Sequence, residues 1–304
     1  MGRERYFGMK RYQEILLKTI MGTFKHLPFP VVCWGGDLIG TLLYYFLGER
    51  REIGLSNLRL AFPEKSGEEC ESIFKRCWKN ISKDLLEVVK YFASPPYLTR
   101  ERVSITGVEN LNYCLAQNRG VVALSAHYGN FPLLCYRLAL EKYPLAIIYS
   151  RMHNNVLNPM IPIIQKMAGI EPIPDNPRHK CVAMSLAWLK RGGVLFLQID
   201  QNPSEEAGVP VDFFGQKLPT FRGPLVMAMR TGASILPMFI IRKENNHHQI
   251  IVEKPFVLNI TGDKERDIRD NLEALSKIAE DHIRRHPSFW WWIHRRFRMA
   301  IPGE

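Results

Sequence analysis

The sequence lacks the short motifs that mark several large enzyme classes. It contains no G-x-x-x-x-G-K-[ST] phosphate loop and no convincing G-x-G-x-x-G turn, so nucleotide binding has no support. It contains no G-x-S-x-G, which weighs against a serine nucleophile of the α/β-hydrolase type. The six cysteines include no C-x-x-C pair, and no cleavable signal peptide is recognisable. We therefore expect a protein of a reducing compartment.

Acidic residues are scarce relative to basic ones. The 30 Asp and Glu stand against 41 Lys and Arg, so the formal net charge is +11. This imbalance indicates an anionic partner, which the charge alone leaves open between nucleic acid, a membrane surface and a phosphorylated or acyl-carrier substrate. The basic residues accompany tryptophan and apolar segments and no nucleic-acid-binding motif, so we do not expect a nucleic acid partner.

Metal-ligand patterns are equally weak. His282 and His286 form an i, i+4 pair, but the acidic residues around them do not follow a zinc-protease pattern and their helix is predicted to face solvent. We expect neither a metal ion nor an organic cofactor.

One long apolar run lies near the N-terminus. Residues 27–47 (LPFPVVCWGGDLIGTLLYYFL) carry a single formal charge, Asp37, and basic residues flank both ends. A bilayer span needs about 20 apolar residues, so a span, an interfacial helix and a buried soluble helix all remain open. The aromatic residues and flanking cations favour the interfacial helix. We therefore predict a membrane-associating helical segment over residues 1–50.

Residues 51–304 predict a single α/β domain. Its lead-in, residues 51–96, contains a capping-box pattern at Ser66–Glu69 that opens a long amphipathic helix. From residue 102 onwards, apolar β-branched runs alternate with helical segments, which predicts a mostly parallel sheet flanked by helices. Residues 211–224 are expected to form a loop that leads into the next helix.

The turn at His127 is the most informative local feature. Residues 120–126 (GVVALSA) predict a buried strand, and Tyr128-Gly129-Asn130 predicts a turn before an apolar helix. His127 therefore stands at the carboxyl end of a strand, where open α/β sheets present reactive groups. Histidine also suits proton transfer near neutral pH. A packed or surface histidine is the plain alternative.

Four further features are candidates to converge on this turn, namely Asp200, Arg151, the loop over residues 211–224 with Arg222, and the closing segment over residues 290–298. Asp200 and Arg151 each follow an apolar strand, as His127 does, and Arg222 precedes Gly223 at the entrance to a helix. Backbone N–H groups at such an entrance favour an anion. A turn cap for Asp200, a surface ion pair for Arg151 and a solvated side chain for Arg222 are the plain alternatives.

The chain closes on a segment rich in tryptophan and arginine, Trp290-Trp-Trp-Ile-His-Arg-Arg-Phe-Arg298. Between residues 283 and 304 there are five Lys or Arg and one acidic residue. Packing of the tryptophans in the core is one interpretation. Clustered tryptophan beside cations is more typical of a lipid headgroup boundary, so we expect a basic surface that faces anionic lipid.

In combination these segments resemble the bacterial lipid A late acyltransferase family, the lauroyl and myristoyl acyltransferases, over about residues 10–302. The matching pieces are the N-terminal apolar run, Asn57-Leu-Arg-Leu-Ala-Phe-Pro63, residues 120–131 around His127, Tyr149-Ser-Arg151 with Asn154-Asn155, Asp200-Gln201, Phe213-Phe-Gly215, Arg222-Gly-Pro224 and Trp292-Ile-His-Arg-Arg-Phe297. No single piece is specific, whereas the set is.

The resemblance implies an α/β acyltransferase, similar in fold to glycerolipid acyltransferases, on the cytoplasmic face of the bacterial inner membrane. It implies transfer of a fatty acyl chain from a thioester, on acyl carrier protein or coenzyme A, to a hydroxyl of a lipid A precursor. His127 would act as general base without a covalent enzyme intermediate. Asn130, Arg151, Arg222 and Gly223 are the predicted substrate-binding residues.

The sequence departs from the family at the residue that orients the histidine. The family pattern places Glu or Asp five positions after the histidine, and here that position is Pro132. Proline fits the first turn of a helix but cannot hold an imidazole. Asp200 is the first candidate for the substitute, with a backbone carbonyl, Glu205 or Glu206 as others. Two further hypotheses stay open: another glycolipid or aminolipid acceptor, and a non-catalytic protein that binds acyl lipids.

Overall fold

The computed structural model describes residues 10–150, 159–203 and 208–298. The helices in these ranges are α1 (Arg11–His26), α2 (Phe29–Phe46), α3 (Gly48–Ala61), α4 (Gly67–Ala93), α5 (Pro96–Arg102), α6 (Val108–Ala116), α7 (Phe131–Leu140), α8 (Met160–Met167), α9 (Arg178–Lys190), α10 (Gly223–Thr231) and α11 (Lys264–Arg285). The strands are β1 (Val103–Thr106), β2 (Val121–Ser125), β3 (Leu145–Tyr149), β4 (Glu171–Pro174), β5 (Val194–Gln198), β6 (Gly208–Phe213), β7 (Gln216–Phe221), β8 (Ser234–Arg242) and β9 (His248–Val252). The sequence predicted a helical N-terminal segment without the bounds of α1, and it did not predict α5 or β4.

Seven of the strands form one sheet in the order β1-β9-β8-β2-β5-β3-β4. Every pair in it is parallel except β8 with β9, which are antiparallel. The predicted mostly parallel sheet flanked by helices is therefore confirmed. β2 lies at its centre and is buried along its whole length, because α6 and α7 cover one face and α10 and α11 cover the other.

The predicted loop over residues 211–224 is wrong in its first part. Strands β6 and β7 form a separate antiparallel hairpin, in which Phe213 pairs with Gln216 across a two-residue turn. Both turn residues have positive φ, 55° at Phe214 and 74° at Gly215, as hairpin turns of this length require. Phenylalanine rarely adopts that conformation, so the sequence did not suggest the turn.

Helix α2 packs lengthwise against α4, through two glycines. A Cβ atom on Gly36 would lie 2.6 Å from Lys83 Cγ, and one on Gly40 would lie 2.5 Å from Lys79 Cα. The one charge within the apolar run, Asp37, pairs with Lys83 at 3.1 Å. The N-terminal segment and the lead-in helix are thus in direct contact, while the division of the chain at residue 50 stays a prediction.

Two of the three tryptophans of the closing segment lie inside the protein and not at a lipid-facing surface, whereas Arg295 and Arg298 are exposed and the expected basic surface stays a prediction. Trp290 and Trp292 are 1% and 0% exposed, and they pack against Phe213 and Phe214 of the hairpin turn. Arg296 is also buried and donates hydrogen bonds to the hairpin strand β7. The sequence did not predict this hairpin. It therefore offered no apolar surface inside the protein against which the tryptophans could pack.

One histidine of the predicted pair is placed differently from the prediction, whereas His286, directly after α11, is exposed. His282 is buried, stacks on Phe239 with ring centroids 3.9 Å apart, and its Nε2 lies 2.8 Å from Glu253 Oε1. Within the described ranges, no group of three or more potential metal ligands is present.

Candidate active site

The register of two neighbouring strands sets the geometry of the site. Strands β2 and β5 are parallel, and Ser125 lies opposite Gln198 at their carboxyl ends. The ladder extends one residue further, because Ile199 N donates to Ser125 O at 3.1 Å. Two residues beyond each strand end stand His127 and Asp200, so the same offset brings these side chains together.

Asp200 holds His127 by two hydrogen bonds. Its Oδ1 lies 2.9 Å from His127 Nδ1, and its Oδ2 accepts from the His127 backbone N–H at 2.7 Å. Oδ2 also accepts from the indole N–H of Trp290 at 2.7 Å. Both carboxylate oxygens are therefore used, and the Asp200 side chain is only 2% exposed.

These contacts define the protonation of the imidazole. An ionised carboxylate only accepts hydrogen bonds, so Nδ1 of a neutral His127 must carry the proton and Nε2 must be the acceptor. The amide Nε2 of Gln201 lies 3.0 Å from this second nitrogen, as a donor would. The ring thus presents a basic nitrogen on the side away from Asp200, with the tautomer that general-base catalysis requires.

The electrostatics favour an ionised Asp200. Burial alone would raise the pKa of this carboxyl, but His127, through its charge and two hydrogen bonds, and Trp290, through a third, lower it to about 2. The carboxylate consequently stays charged at neutral pH and would stabilise an imidazolium at this position.

The turn that carries His127 is held from the C-terminal side of the chain. Trp291 N donates to His127 O at 3.0 Å, and Gly129 N donates to Phe289 O at 2.8 Å. Gly129 has a φ of 55°, and a Cβ atom there would lie 2.2 Å from Ile240 O. Only glycine fits this close approach to β8. The backbone of the turn is therefore fixed before any substrate binds.

Three aromatic rings surround the imidazole. The ring centroids of Phe131, Trp291 and His294 lie 5.3, 5.8 and 5.1 Å from that of His127. Burial, with a contribution from His127, lowers the pKa of His294 to about 4, so this second imidazole is neutral at physiological pH. The His127 side chain is only 12% exposed, so its interaction with Asp200 lies in a partly desolvated environment that strengthens it.

Asn130 lies away from the exposed nitrogen of His127. Its Oδ1 accepts from Leu133 N at 3.2 Å as the N-cap of α7, and its Nδ2 donates to Asp84 O at 3.2 Å. The residue is 1% exposed. These contacts tie the turn to α4, whereas the predicted role of Asn130 in substrate binding has no contact in its favour.

Asn130 reaches a buried charged cluster that the sequence did not reveal. Arg242 on β8 pairs with Asp84 and Glu87 of α4, and Glu87 also lies 2.9 Å from His248 Nε2. Burial opposes the ionisation of Glu87, but His248 and Arg242 lower its pKa below the usual value. The cluster joins α4 to β8 and β9 directly behind the His127 turn.

A cavity of about 590 Å³ adjoins the site at Gln201. Two of the predicted substrate-binding residues, Arg222 and Gly223, line this cavity at the start of α10. Arg222 is half exposed and lies 3.8 Å from Glu265. A Cβ atom on Gly223 would lie 2.4 Å from the Phe221 ring, so the glycine is required by packing at least.

Several predicted residues lie outside the described ranges, namely Arg151, Asn154, Asn155, Glu205 and Glu206. Conversely, Trp290 and Gln201 contact the His127–Asp200 pair although neither was assigned a catalytic or substrate-binding role from the sequence. Gln201 had one available indication, since it directly follows Asp200 and both belong to the quoted Asp-Gln piece. For Trp290 the indication was its place in the closing segment, which was a candidate to converge on the His127 turn, but which residue of that segment makes the contact depends on the path of the C-terminal chain.

Comparisons with known proteins give one consistent result. The family model described as bacterial lipid A biosynthesis acyltransferase matches residues 2–299. The lipid A biosynthesis palmitoleoyltransferase of Escherichia coli K12 is 27% identical over 289 residues, 94% of this chain and 90% of that protein. The lauroyltransferase of the same organism is 24% identical over 279 residues, 91% and 88% of the two chains. This chain therefore belongs to the bacterial lipid A biosynthesis acyltransferases.

Proposed function

We propose that this acyltransferase moves a fatty acyl chain from an acyl carrier protein thioester to a hydroxyl of a lipid A precursor, with His127 as general base and Asp200 as the residue that orients it. The observation that carries the proposal is the His127–Asp200 pair at the carboxyl ends of two adjacent parallel strands. Family membership supplies acyl transfer onto lipid A, and the geometry supports the assignment of roles.

The proposed reaction needs one base and no covalent intermediate. His127 Nε2 takes the proton from the acceptor hydroxyl while that oxygen attacks the thioester carbonyl carbon. The tetrahedral intermediate then collapses, the carbon–sulfur bond breaks, and the imidazolium returns its proton to the leaving thiolate. Asp200 stabilises the imidazolium between these steps, through the 2.9 Å contact to Nδ1.

Gln201 indicates where the acceptor hydroxyl would lie. Its amide nitrogen is 3.0 Å from His127 Nε2, which is the distance at which a hydroxyl would donate to a general base. Gln201 also lines the 590 Å³ cavity, so a substrate in that cavity would reach Nε2 by displacing this amide.

The His127–Asp200 pair supplies a carboxylate that Pro132 cannot supply. Pro132 is in the first turn of α7 and has no carboxylate, whereas Asp200 already occupies both Nδ1 and the backbone N–H of His127. We propose that Asp200 supplies the orienting function that the family pattern assigns to the residue five positions after the histidine.

Membrane binding in the interface is proposed from helix α2. The helix has 18 residues, near the lower limit of length for a span. Its contact with α4 through Gly36 and Gly40 keeps it alongside the domain. The opposite face exposes large apolar side chains, namely Val31, Trp34, Leu38, Ile39, Leu42, Tyr45 and Phe46. Such a face suits insertion among lipid headgroups on the cytoplasmic side of the inner membrane.

The test is a radiolabelled acyl-transfer assay on the purified full chain, with acyl carrier protein thioester and a lipid A precursor. We expect transfer by the wild type and a loss of about 10²–10⁴-fold in His127→Ala, the usual contribution of a general base. His247→Ala, an exposed histidine on the β8–β9 turn, is the matched control. Full activity in a folded His127→Ala protein would contradict the proposal. Activity that appears only in Pro132→Glu would indicate a non-catalytic binding protein instead.

A further inference from the structure

The 590 Å³ cavity beside Gln201 is built from two helices with a common pattern. On α9, Arg178, Val182 and Leu186 follow one another at four-residue intervals, and all three line the cavity. Residues at i, i+4 and i+8 share one face of a helix, so α9 presents a cation followed by an apolar stripe.

Helix α10 presents the second wall with the same spacing. Arg222, Val226 and Arg230 also stand four residues apart, and all three line the cavity. The cavity therefore combines an apolar wall from both helices with three guanidinium groups. Its volume falls within the roughly 300–1,000 Å³ that small-molecule sites occupy.

The charges in this cavity are not balanced. Three arginines face a single acidic lining residue, Asp175. Arg222 is partly compensated by Glu265 at 3.8 Å, but within residues 10–150, 159–203 and 208–298 no carboxylate lies within ion-pair distance of Arg178 or Arg230, and both are exposed. Arg178 instead lies over the Phe221 ring, 5.8 Å from its centroid. Guanidinium groups left without a carboxylate partner are available for the oxygens of a phosphate.

We infer that this cavity binds a phosphate group that is attached to an acylated substrate, with Arg178 and Arg230 as the phosphate ligands and the Val182–Val226 wall beside an acyl chain. The inference rests on the proposed function for its reaction, because Gln201 connects the cavity to His127 Nε2. Two substrates of that reaction carry the required chemistry: a phosphorylated glycolipid acceptor and the phosphopantetheine arm of the donor.

Binding without turnover separates this inference from the proposed function. Each substrate is titrated alone into the full chain at fixed ionic strength, and the dissociation constant is measured by intrinsic tryptophan fluorescence. One arm compares a phosphorylated lipid A precursor with the same compound after phosphatase treatment. The other compares an acyl-phosphopantetheine with the matching acyl-pantetheine. An absence of acyl transfer would then refute the proposed function and leave the binding result standing.

We expect Arg178→Gln and Arg230→Gln each to raise Kd about tenfold for the phosphorylated member of one pair, the effect of one lost charge-assisted hydrogen bond. The dephosphorylated member should bind all proteins alike. The matched control is Arg191→Gln, which removes the same charge from the other end of α9, outside the cavity. The substrate pair whose phosphorylated member shows the raised Kd identifies which substrate the cavity binds. Equal weakening by Arg191→Gln, or no phosphate-dependent change in either arm, would overturn the inference.

Discussion

Replacement of Asp200 by asparagine tests the proposed mechanism most directly, because it removes one charge and almost no volume. Oδ1 of the native carboxylate accepts from His127 Nδ1, and Oδ2 accepts from the His127 backbone N–H and from Trp290 Nε1. All three partners therefore require an acceptor. An asparagine has a single acceptor oxygen and two N–H donors, so it cannot satisfy both sides.

The orientation of the new amide can be worked out from these partners. If its oxygen faced His127 Nδ1, its NH₂ group would face two buried N–H donors, each costing about 1–3 kcal/mol when left unpaired. The opposite orientation keeps both of those hydrogen bonds and directs NH₂ at Nδ1. The imidazole must then place its own proton on Nε2, where it cannot act as a base.

The expected magnitude follows from this wrong tautomer. The equivalent change in the serine-protease triad lowers kcat by about 10⁴, or about 5 kcal/mol of transition-state free energy. We expect a loss of that order for Asp200→Asn, with little change in KM for either substrate. The free energy of unfolding at neutral pH should fall by only about 2 kcal/mol, which is the size of the lost interaction with the ionised carboxylate.

The assay combines initial rates of radiolabelled acyl transfer with circular dichroism and denaturant unfolding of the same preparations. Asp270→Asn on α11 is the matched control, since this aspartate is paired only with exposed arginines of its own helix. A folded Asp200→Asn enzyme whose kcat falls less than about tenfold, worth about 1.4 kcal/mol, would refute the role assigned to Asp200.

Two further predictions concern stability. The pKa of Asp200 is lowered to about 2, so the ionised carboxylate adds about 2 kcal/mol to the free energy of unfolding above pH 4, and this contribution is lost as the pH falls to 2. Denaturant unfolding should therefore show a stability difference between wild type and Asp200→Asn at pH 4 that disappears at pH 2. Arg242→Leu leaves the carboxylates of Asp84 and Glu87 buried without their cation and should cost about 3–5 kcal/mol by the same method. Arg266→Leu, which breaks an exposed pair, should cost less than about 1 kcal/mol, and equal costs for the two arginines would contradict the argument.

Local sequence patterns determined the fold class and the position of the candidate base. Short apolar runs that alternate with amphipathic helices predict a mostly parallel sheet, because a strand buried on both faces has no polar positions to alternate with. The run before His127 is of this kind, and all five residues of β2 are buried. Gly129 then marks a turn that only glycine can make there.

Tertiary structure decided what surrounds that base. His127 and Asp200 lie close together because β2 and β5 are parallel neighbours whose paired residues are 73 positions apart in the chain. No local sequence pattern encodes that pairing. The sequence therefore made Asp200 a candidate but could not distinguish it from a turn cap. The buried Trp290 and the charged cluster behind the turn similarly join residues that are more than 80 positions apart in the chain.

Two of the incorrect expectations, the loop over residues 211–224 and the lipid-facing tryptophans, have the same physical origin. The tryptophans were assigned to a lipid surface because clustered tryptophan beside arginine suits both a headgroup boundary and a core. The hairpin that covers them turns on Phe214 at positive φ, so its strands were not predicted. Periodicity and composition thus determined which segments are apolar and where strands end. Only packing between distant segments decided which apolar surfaces are covered and which side chain holds His127.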